Sequence, residues 1–258
     1  MDHQRTVDRL RAAGCVFAED EARLLHDHAQ TSADLESMVD RRVAGEPLEQ
    51  VLGWAEFRGL RIAVEPGVFV PRRRTEFLVD QAVPLVGPGA VVVDLCCGSG
   101  AIGAAIVDAV GDLDLYAVDV DPAAVRCARR NLPETAHVYQ GDLYAPLPAV
   151  LNHRVDVLTA NVPYVPSDEI ATMPPEARDH EPRFTLDGGA DGLDLLRRVA
   201  ADAQGWLMPG GHLLIETSEE QAEDAAGVFA RHGLTPWVVS DEERGSTVVI
   251  GRRESEST

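Results

Sequence analysis

The spacing of apolar side chains predicts most elements of this chain. Up to about residue 45 it is helical. Val7, Leu10, Ala12 and Cys15 mark a first amphipathic helix. Ala22, Leu24, Leu25 and Ala29 mark a second over 19–28, and Leu35, Met38, Val39 and Val43 a third. Thr31 or Ser32 can cap the third helix, because a short side-chain oxygen accepts an N–H that the first turn leaves unpaired. Gly45 and Pro47 end it. From residue 54 the period shortens. Phe57, Leu60, Ile62 and Val64, with Gly59 and Gly67 as turns, predict a hairpin or short strands. Thr75 then opens a helix through Val83.

From residue 90 onward, short apolar runs alternate with amphipathic stretches. Strands are predicted at 90–93, 113–119, 136–139, 155–160, 211–216, 234–240 and 247–251, with helices from 101 and over 122–131, 193–203 and 219–232. Alternation of this kind implies a seven-stranded, mostly parallel sheet with helices on both faces, an α/β fold. The last two strands read as an antiparallel edge. Residues 164–190 are proline-rich and longer than an ordinary connection, so they predict a functional loop or lid. The expected division is a helical lobe over 1–50, a linking hairpin and helix over 51–88, a main domain over 89–252 and a solvated tail over 253–258 that begins near Arg252.

Composition narrows the function classes. No apolar run in the 258 residues is long enough to span a bilayer, and the opening MDHQRTVDRL has no signal-peptide core. Four cysteines, two of them adjacent, do not make a disulfide framework, and the eight histidines show no metal-ligand spacing. A cytoplasmic, monomeric protein with free thiols and no metal is expected. The formal charge of −20 repels phosphate backbones, so nucleic acid is not expected as the main partner.

Candidate chemistry centres on residues 91–103, VVVDLCCGSGAIG. A buried strand, a glycine turn and a helix N-terminus make a nucleotide-sized site. Gly98, Gly100 and Gly103 fit GxGxxG, which alone leaves a nicotinamide dehydrogenase open. Asp119 ends the next strand, where a carboxylate can accept from a ribose diol, or simply hold a turn. Asp142 follows the third strand, within reach of an adenine amino group, and Asn161-Val162-Pro163-Tyr164 follows the fourth. In an open parallel sheet Asp94, Asp119, Asp142 and Asn161 all fall on one rim. Nothing marks a nicotinamide site.

These motifs, in order, carry a resemblance: GEPLEQVLGWAEF, VPRRRTEFLV, DLCCGSGAIG, AVDVDPAAV, GDLYAPL, NVPYVP, EPRFTLDGGADGL and LLIE, over about four fifths of the chain. The sequence resembles the class I S-adenosylmethionine-dependent methyltransferases, with their Rossmann-like fold, and within them the protein-(glutamine-N5) methyltransferases that modify peptide release factors. The resemblance implies that Phe69, Asp94, Cys96, Cys97, Gly98, Ser99, Gly100, Asp119, Asp142, Leu143 and Asn161 bind S-adenosylmethionine. It implies that Asn161, Val162, Pro163 and Tyr164 hold the substrate, with Asn161 and Tyr164 catalytic, and that the helical lobe helps to grip a protein substrate. Three departures mark a divergent paralogue: Val162 for the first proline of NPPY, Cys96 and Cys97 for glycine and threonine, and Arg73 for proline in PRPxTE. N-methylation of a nucleic-acid base or of a small metabolite, and a relative that binds the cofactor without catalysis, stay as alternatives.

The chemistry suits this segment. An amide nitrogen is a poor nucleophile because its lone pair is delocalised. An Asn side-chain oxygen and a main-chain carbonyl can accept its two N–H groups, which orients it and favours the positive charge that develops on attack. Val162 keeps the carbonyl and loses only proline's fixed φ. Several residues keep two readings. Asp94 either binds the cofactor's ammonium or holds the turn. Phe69 lines the pocket or packs in the core. Arg72 and Arg74 read as a solvated cluster before lid contacts, Glu76 as a cap of its own helix, and Glu216 as structural. Cys96 and Cys97 read as small-residue replacements before reactive thiols.

Overall fold

The computed structural model describes residues 2–255. Four helices open the chain: α1 (His3–Ala12), α2 (Ala18–His28), α3 (Ser32–Val43) and α4 (Leu48–Leu52). Thr31 caps α3, accepting the Asp34 N–H at 3.1 Å. Leu10, Ala22, Leu25 and Val39 bury together as the lobe's own small core. The five-residue α4 was not expected, being too short to show a period. An antiparallel hairpin follows, β1 (Trp54–Phe57) with β2 (Leu60–Ala63), turning at Arg58 and Gly59.

Next comes α5 (Glu76–Ala82), where the expected capping by Thr75 is overturned. Thr75 sits inside a 3-10 turn, Arg73–Thr75, with helical φ and ψ, and makes no capping bond. An N-cap must be extended for its oxygen to reach the next N–H groups, and Thr75 is not. Glu76 does not cap its helix either. Its Oε1 accepts the Arg58 N–H at 2.9 Å, which ties the hairpin turn to α5.

The main sheet contains β3 (Ala90–Leu95), β4 (Leu113–Asp119), β5 (His137–Gln140), β6 (Val155–Ala160), β7 (Leu207–Thr217), β8 (Leu234–Asp241) and β9 (Ser246–Arg253). Their order is β5-β4-β3-β6-β7-β9-β8, parallel except at β7-β9 and β9-β8. Helices α6 (Ala101–Val110), α7 (Pro122–Asn131), α9 (Asp194–Trp206) and α10 (Ala222–Arg231) flank it, while α8 (Pro175–His180) lies in the lid. Because successive strand side chains point to opposite faces, adjacent apolar residues feed two cores. Val93, Leu95, Leu158, Leu213 and Ile215 pack with α9 and α10. Val92, Val157, Leu214 and Ile250 pack with α5 and α6. A fully buried Leu or Ile contributes roughly 1.5–3 kcal/mol, so both faces are covered rather than one solvated.

Several boundaries moved. β5 lies one residue later than predicted, and α9 runs on to Trp206. β7 begins at Leu207 because Gly211 lets the chain bend against β6. A Cβ there would meet the Val155 carbonyl oxygen at 2.7 Å. Residues 218–221 form a turn held by Ser218 and Gln221, so α10 starts at Ala222 rather than at 219. Arg252 and Arg253 are not tail. Arg252 pairs between His212 and Thr235, and Arg253 donates to the Gln204 and Leu207 carbonyls. The end of the expected tail, 256–258, lies outside the described residues. The 164–190 loop is not structureless: it holds α8 and two 3-10 turns, and Val165 bridges Asp187 to close its base.

Candidate active site

The turn after β3 is built by backbone conformation. Cys96 (φ +54°), Gly98 (φ +55°) and Gly100 (φ +80°) all take left-handed φ, which folds the chain back so that the Cys97 N–H reaches the Val118 carbonyl at 3.0 Å. Gly100 is required by packing as well: a Cβ would stand 3.1 Å from the Ala128 Cα of α7. Gly103 lies against Leu115, where a Cβ would sit at 3.0 Å. Gly98 faces open space, with no heavy atom within 4 Å of a built Cβ. Asp119 clasps the turn. Its Oδ2 accepts the Gly98 N–H at 2.8 Å and its Oδ1 accepts the Asp121 N–H at 2.9 Å. Burial raises the pKa of Asp119, and these backbone donors oppose the rise.

This turn forms one wall of a cavity of about 720 Å³ at the carboxyl ends of the strands. Of the predicted residues, Phe69, Cys96, Cys97, Gly98, Ser99, Asp119, Asp142, Leu143, Asn161, Val162, Pro163 and Tyr164 all line it. Asp94 and Gly100 do not. Asp94 is fully buried and accepts the Thr159 hydroxyl at 2.9 Å, and burial lifts it to about 7. That hydrogen bond ties β3 to β6 below the rim. Burial pushes the Cys96 and Cys97 thiols up, so neither is an activated thiolate. At the rim, Asp142 is engaged by Arg198 of α9 at 2.7 Å.

A second part of the lining is made of side chains. Val162 is buried in the α9-side core, so the residue in proline's place packs rather than faces water. The Asn161 Nδ2 donates to the Thr75 hydroxyl at 3.4 Å, and the Tyr164 hydroxyl donates to Glu216 Oε1 at 3.3 Å. The reading of Arg72 and Arg74 as a solvated cluster is overturned. Arg72 pairs with the lid's buried Glu181 at 2.5 Å and lies over the Phe69 ring, while Arg74 pairs with Glu216 at 3.2 Å and faces the Tyr164 ring. Buried carboxylates draw arginines because an unpaired buried charge is costly. Burial raises the pKa of both glutamates, and the arginines oppose it. Thr75, Glu181 and Glu216 were not singled out as site residues. The available signal was a lone carboxylate ending an apolar strand in LLIE.

An adenosyl group fits these residues. Asp119 keeps free lone pairs for a diol, Gly98 leaves room beside its backbone, and Ile102, Val118 and Leu143 supply apolar wall. No histidine lines the cavity among the described residues, so the site offers no imidazole base.

Comparison with known proteins agrees with this geometry. A family model described as "Methyltransferase small domain" matches residues 59–174. A release factor glutamine methyltransferase of Streptomyces coelicolor is 38% identical over 257 residues, covering 94% of this chain and 87% of that protein. The chain belongs to the release factor glutamine methyltransferase family. Another member, from Geobacter sulfurreducens, is 36% identical over 219 residues, covering 84% and 76% of the two chains. A crystal structure of a methyltransferase from Pyrococcus furiosus shares the fold at a TM-score of 0.58 and 15% identity, covering 85% of this chain and 99% of that one. This family member is therefore an S-adenosylmethionine-dependent methyltransferase with a class I sheet.

Proposed function

We propose that this enzyme methylates the side-chain amide nitrogen, N5, of a glutamine in a protein, and that the protein is a peptide release factor. The observation that carries the reading is that Asn161 to Tyr164 and the glycine turn line one cavity, leaving the paired ends of β6 and β3. S-adenosylmethionine, when bound, supplies an electrophilic methyl group on a sulfonium. Asp119, Gly98, Ser99, Leu143 and Phe69 would hold it, with Asp142 at the rim. Asn161 Oδ1 and the Val162 carbonyl accept the two N–H groups of the acceptor amide and aim its nitrogen. Asn161 thereby favours the positive charge that grows on that nitrogen. No base is needed before transfer, because the extra proton leaves afterward. Tyr164 packs beside the planar amide, its ring held by Arg74 and its hydroxyl by Glu216.

The division into a substrate-gripping lobe over 1–50, a linker over 51–88 and a catalytic domain over 89–252 accompanies this reading. The lobe reaches the lid through Arg42, which is buried against Glu21 and also bonds Glu176 of α8. The reading takes the enzyme as a monomer that meets its protein substrate at this cavity. Among the described residues no helix is long and apolar enough to cross a membrane, and we place the enzyme in the cytoplasm with its substrate. The test is transfer of methyl label to a purified, unmethylated release factor, followed by peptide mapping. Label on a glutamine is expected. Label that appears only in nucleic acid or small molecules of a host lysate would overturn the reading.

A further inference from the structure

The backbone of the acceptor segment has to be as fixed as its side chains, because the Val162 carbonyl is one of the two groups assigned to the acceptor amide. The sheet register carries the chain only as far as Ala160. The lid's backbone bonds begin at Val165, whose N–H reaches the Leu186 carbonyl at 3.0 Å. Val162 has no ring to fix φ. The shape of 161–164 therefore depends on the packing of Val162 and on what holds the segment's far end, the Tyr164 carbonyl.

Gln221 holds it. The Nε2 group donates one proton to the Tyr164 carbonyl at 2.9 Å and the other to the Asp191 carbonyl, also at 2.9 Å. Oε1 accepts the Ser218 hydroxyl at 3.0 Å, the Thr217 hydroxyl at 3.2 Å and the Ser218 N–H at 3.4 Å. Carbonyls only accept and an N–H only donates, so this amide has a single orientation. One side chain thus joins the turn after β7, the acceptor segment and the chain leaving the lid. The approach is close enough to require glycine. Gly192 takes φ +75°, and a Cβ there would overlap both the Tyr164 carbonyl oxygen and Gln221 Nε2. A Cβ on Gly188 would meet the Pro163 carbonyl oxygen at 2.8 Å.

We infer that Gln221 is a positioning residue: its side-chain amide pins the Tyr164 carbonyl, and through it the turn that aims the Val162 carbonyl and Asn161 at the acceptor nitrogen. The inference rests on the glutamine-amide reading above. Gln221 is not part of the cavity lining and does not touch the reacting atoms. The glycine turn is clasped separately, by Asp119. Loss of the pin therefore falls on transfer rather than on cofactor binding, and a misplacement of about 1 Å in a reacting group can cost about a hundredfold in rate.

Two substitutions separate pinning from packing. Q221E keeps the shape of the side chain and, ionised at about pH 8, turns a carboxylate oxygen toward two carbonyl oxygens. Q221M fills similar space, carries no charge and has no proton to donate. With a purified, unmethylated release factor and methyl-labelled cofactor, Q221M should lower kcat about tenfold and Q221E about a hundredfold. The KM for the release factor should stay within about threefold of wild type, and calorimetry should give a cofactor Kd within about twofold. Packing alone gives the opposite order, with the isosteric Q221E nearer to wild type, and that order would overturn the inference. So would a loss carried by KM alone, or a loss of cofactor binding in both variants. An active wild type with two equally active variants overturns the pin and leaves the functional reading standing. A wild type that puts no label on glutamine overturns both.

Discussion

The two walls of the cavity are held in different ways. The glycine turn is one continuous stretch, 94–103, whose shape rests on left-handed φ angles and on backbone N–H groups bonded to Asp119. The acceptor wall is gathered from Thr75, Asn161 to Tyr164, Glu181 and Glu216, and it rests on buried carboxylates. Backbone geometry is local and short-ranged. Buried charge needs partners from distant parts of the chain, and it costs free energy when a partner is missing. The donor wall should therefore tolerate changes of side chain better than the acceptor wall does.

Substitutions can break that contrast, and the largest effect is expected at Asn161. N161A should lower transfer by about a thousandfold, the scale of losing a placed group that stabilises developing charge, while calorimetry shows little change in cofactor affinity. Comparable activity in mutant and wild type would remove the amide clamp.

Stability against pH probes the donor wall from beneath. Burial lifts Asp94 to about 7 from an ordinary value of 3.8. A carboxyl raised in this way favours the fold while protonated, and that stability, on the order of 4 kcal/mol, is lost as pH rises from about 4 through about 7. Denaturation of the wild type should show this decline. D94N, which cannot ionise, should give a flatter profile, and parallel profiles would show that Asp94 does not titrate in this window.

A smaller effect is expected at Asp119. D119A leaves the Gly98 and Asp121 N–H groups without their acceptor, and the cofactor Kd should rise roughly ten- to a hundredfold. An unchanged constant would separate the turn's clasp from cofactor binding. The smallest effect is expected at Cys96, a non-glycine residue at φ +54°. C96G relieves the left-handed strain but gives up side-chain packing and adds backbone freedom, so the net change in stability should stay within about 1 kcal/mol. A loss of several kcal/mol in urea denaturation would mean that the thiol's packing outweighs the strain.

Legibility in the sequence follows the same division. The bounds of β4, α7 and β6 match the apolar pattern residue for residue. In α7 the reason is local: Asp121 caps the Ala123 N–H at 2.9 Å and Pro122 occupies the first turn. The glycine turn was visible for the same reason. Arg72 and Arg74 were not, since their carboxylates lie 109 and 142 residues farther along the chain. Thr75 shows the limit most clearly. It precedes a helix, as a cap should, yet its hydroxyl accepts from Asn161 instead.

By itself the order of residues determined the alternation of strands and helices, the glycine turn, the rim of strand-end polar residues and the Asn161 to Tyr164 segment, because each depends on neighbours a few positions away. Tertiary structure alone decided that Asp94 is buried, that the lid's Glu181 meets Arg72, and that Glu216 gathers Arg74 and Tyr164. A buried carboxylate takes whichever donors the fold brings within about 3 Å of it, and chain order does not encode that distance.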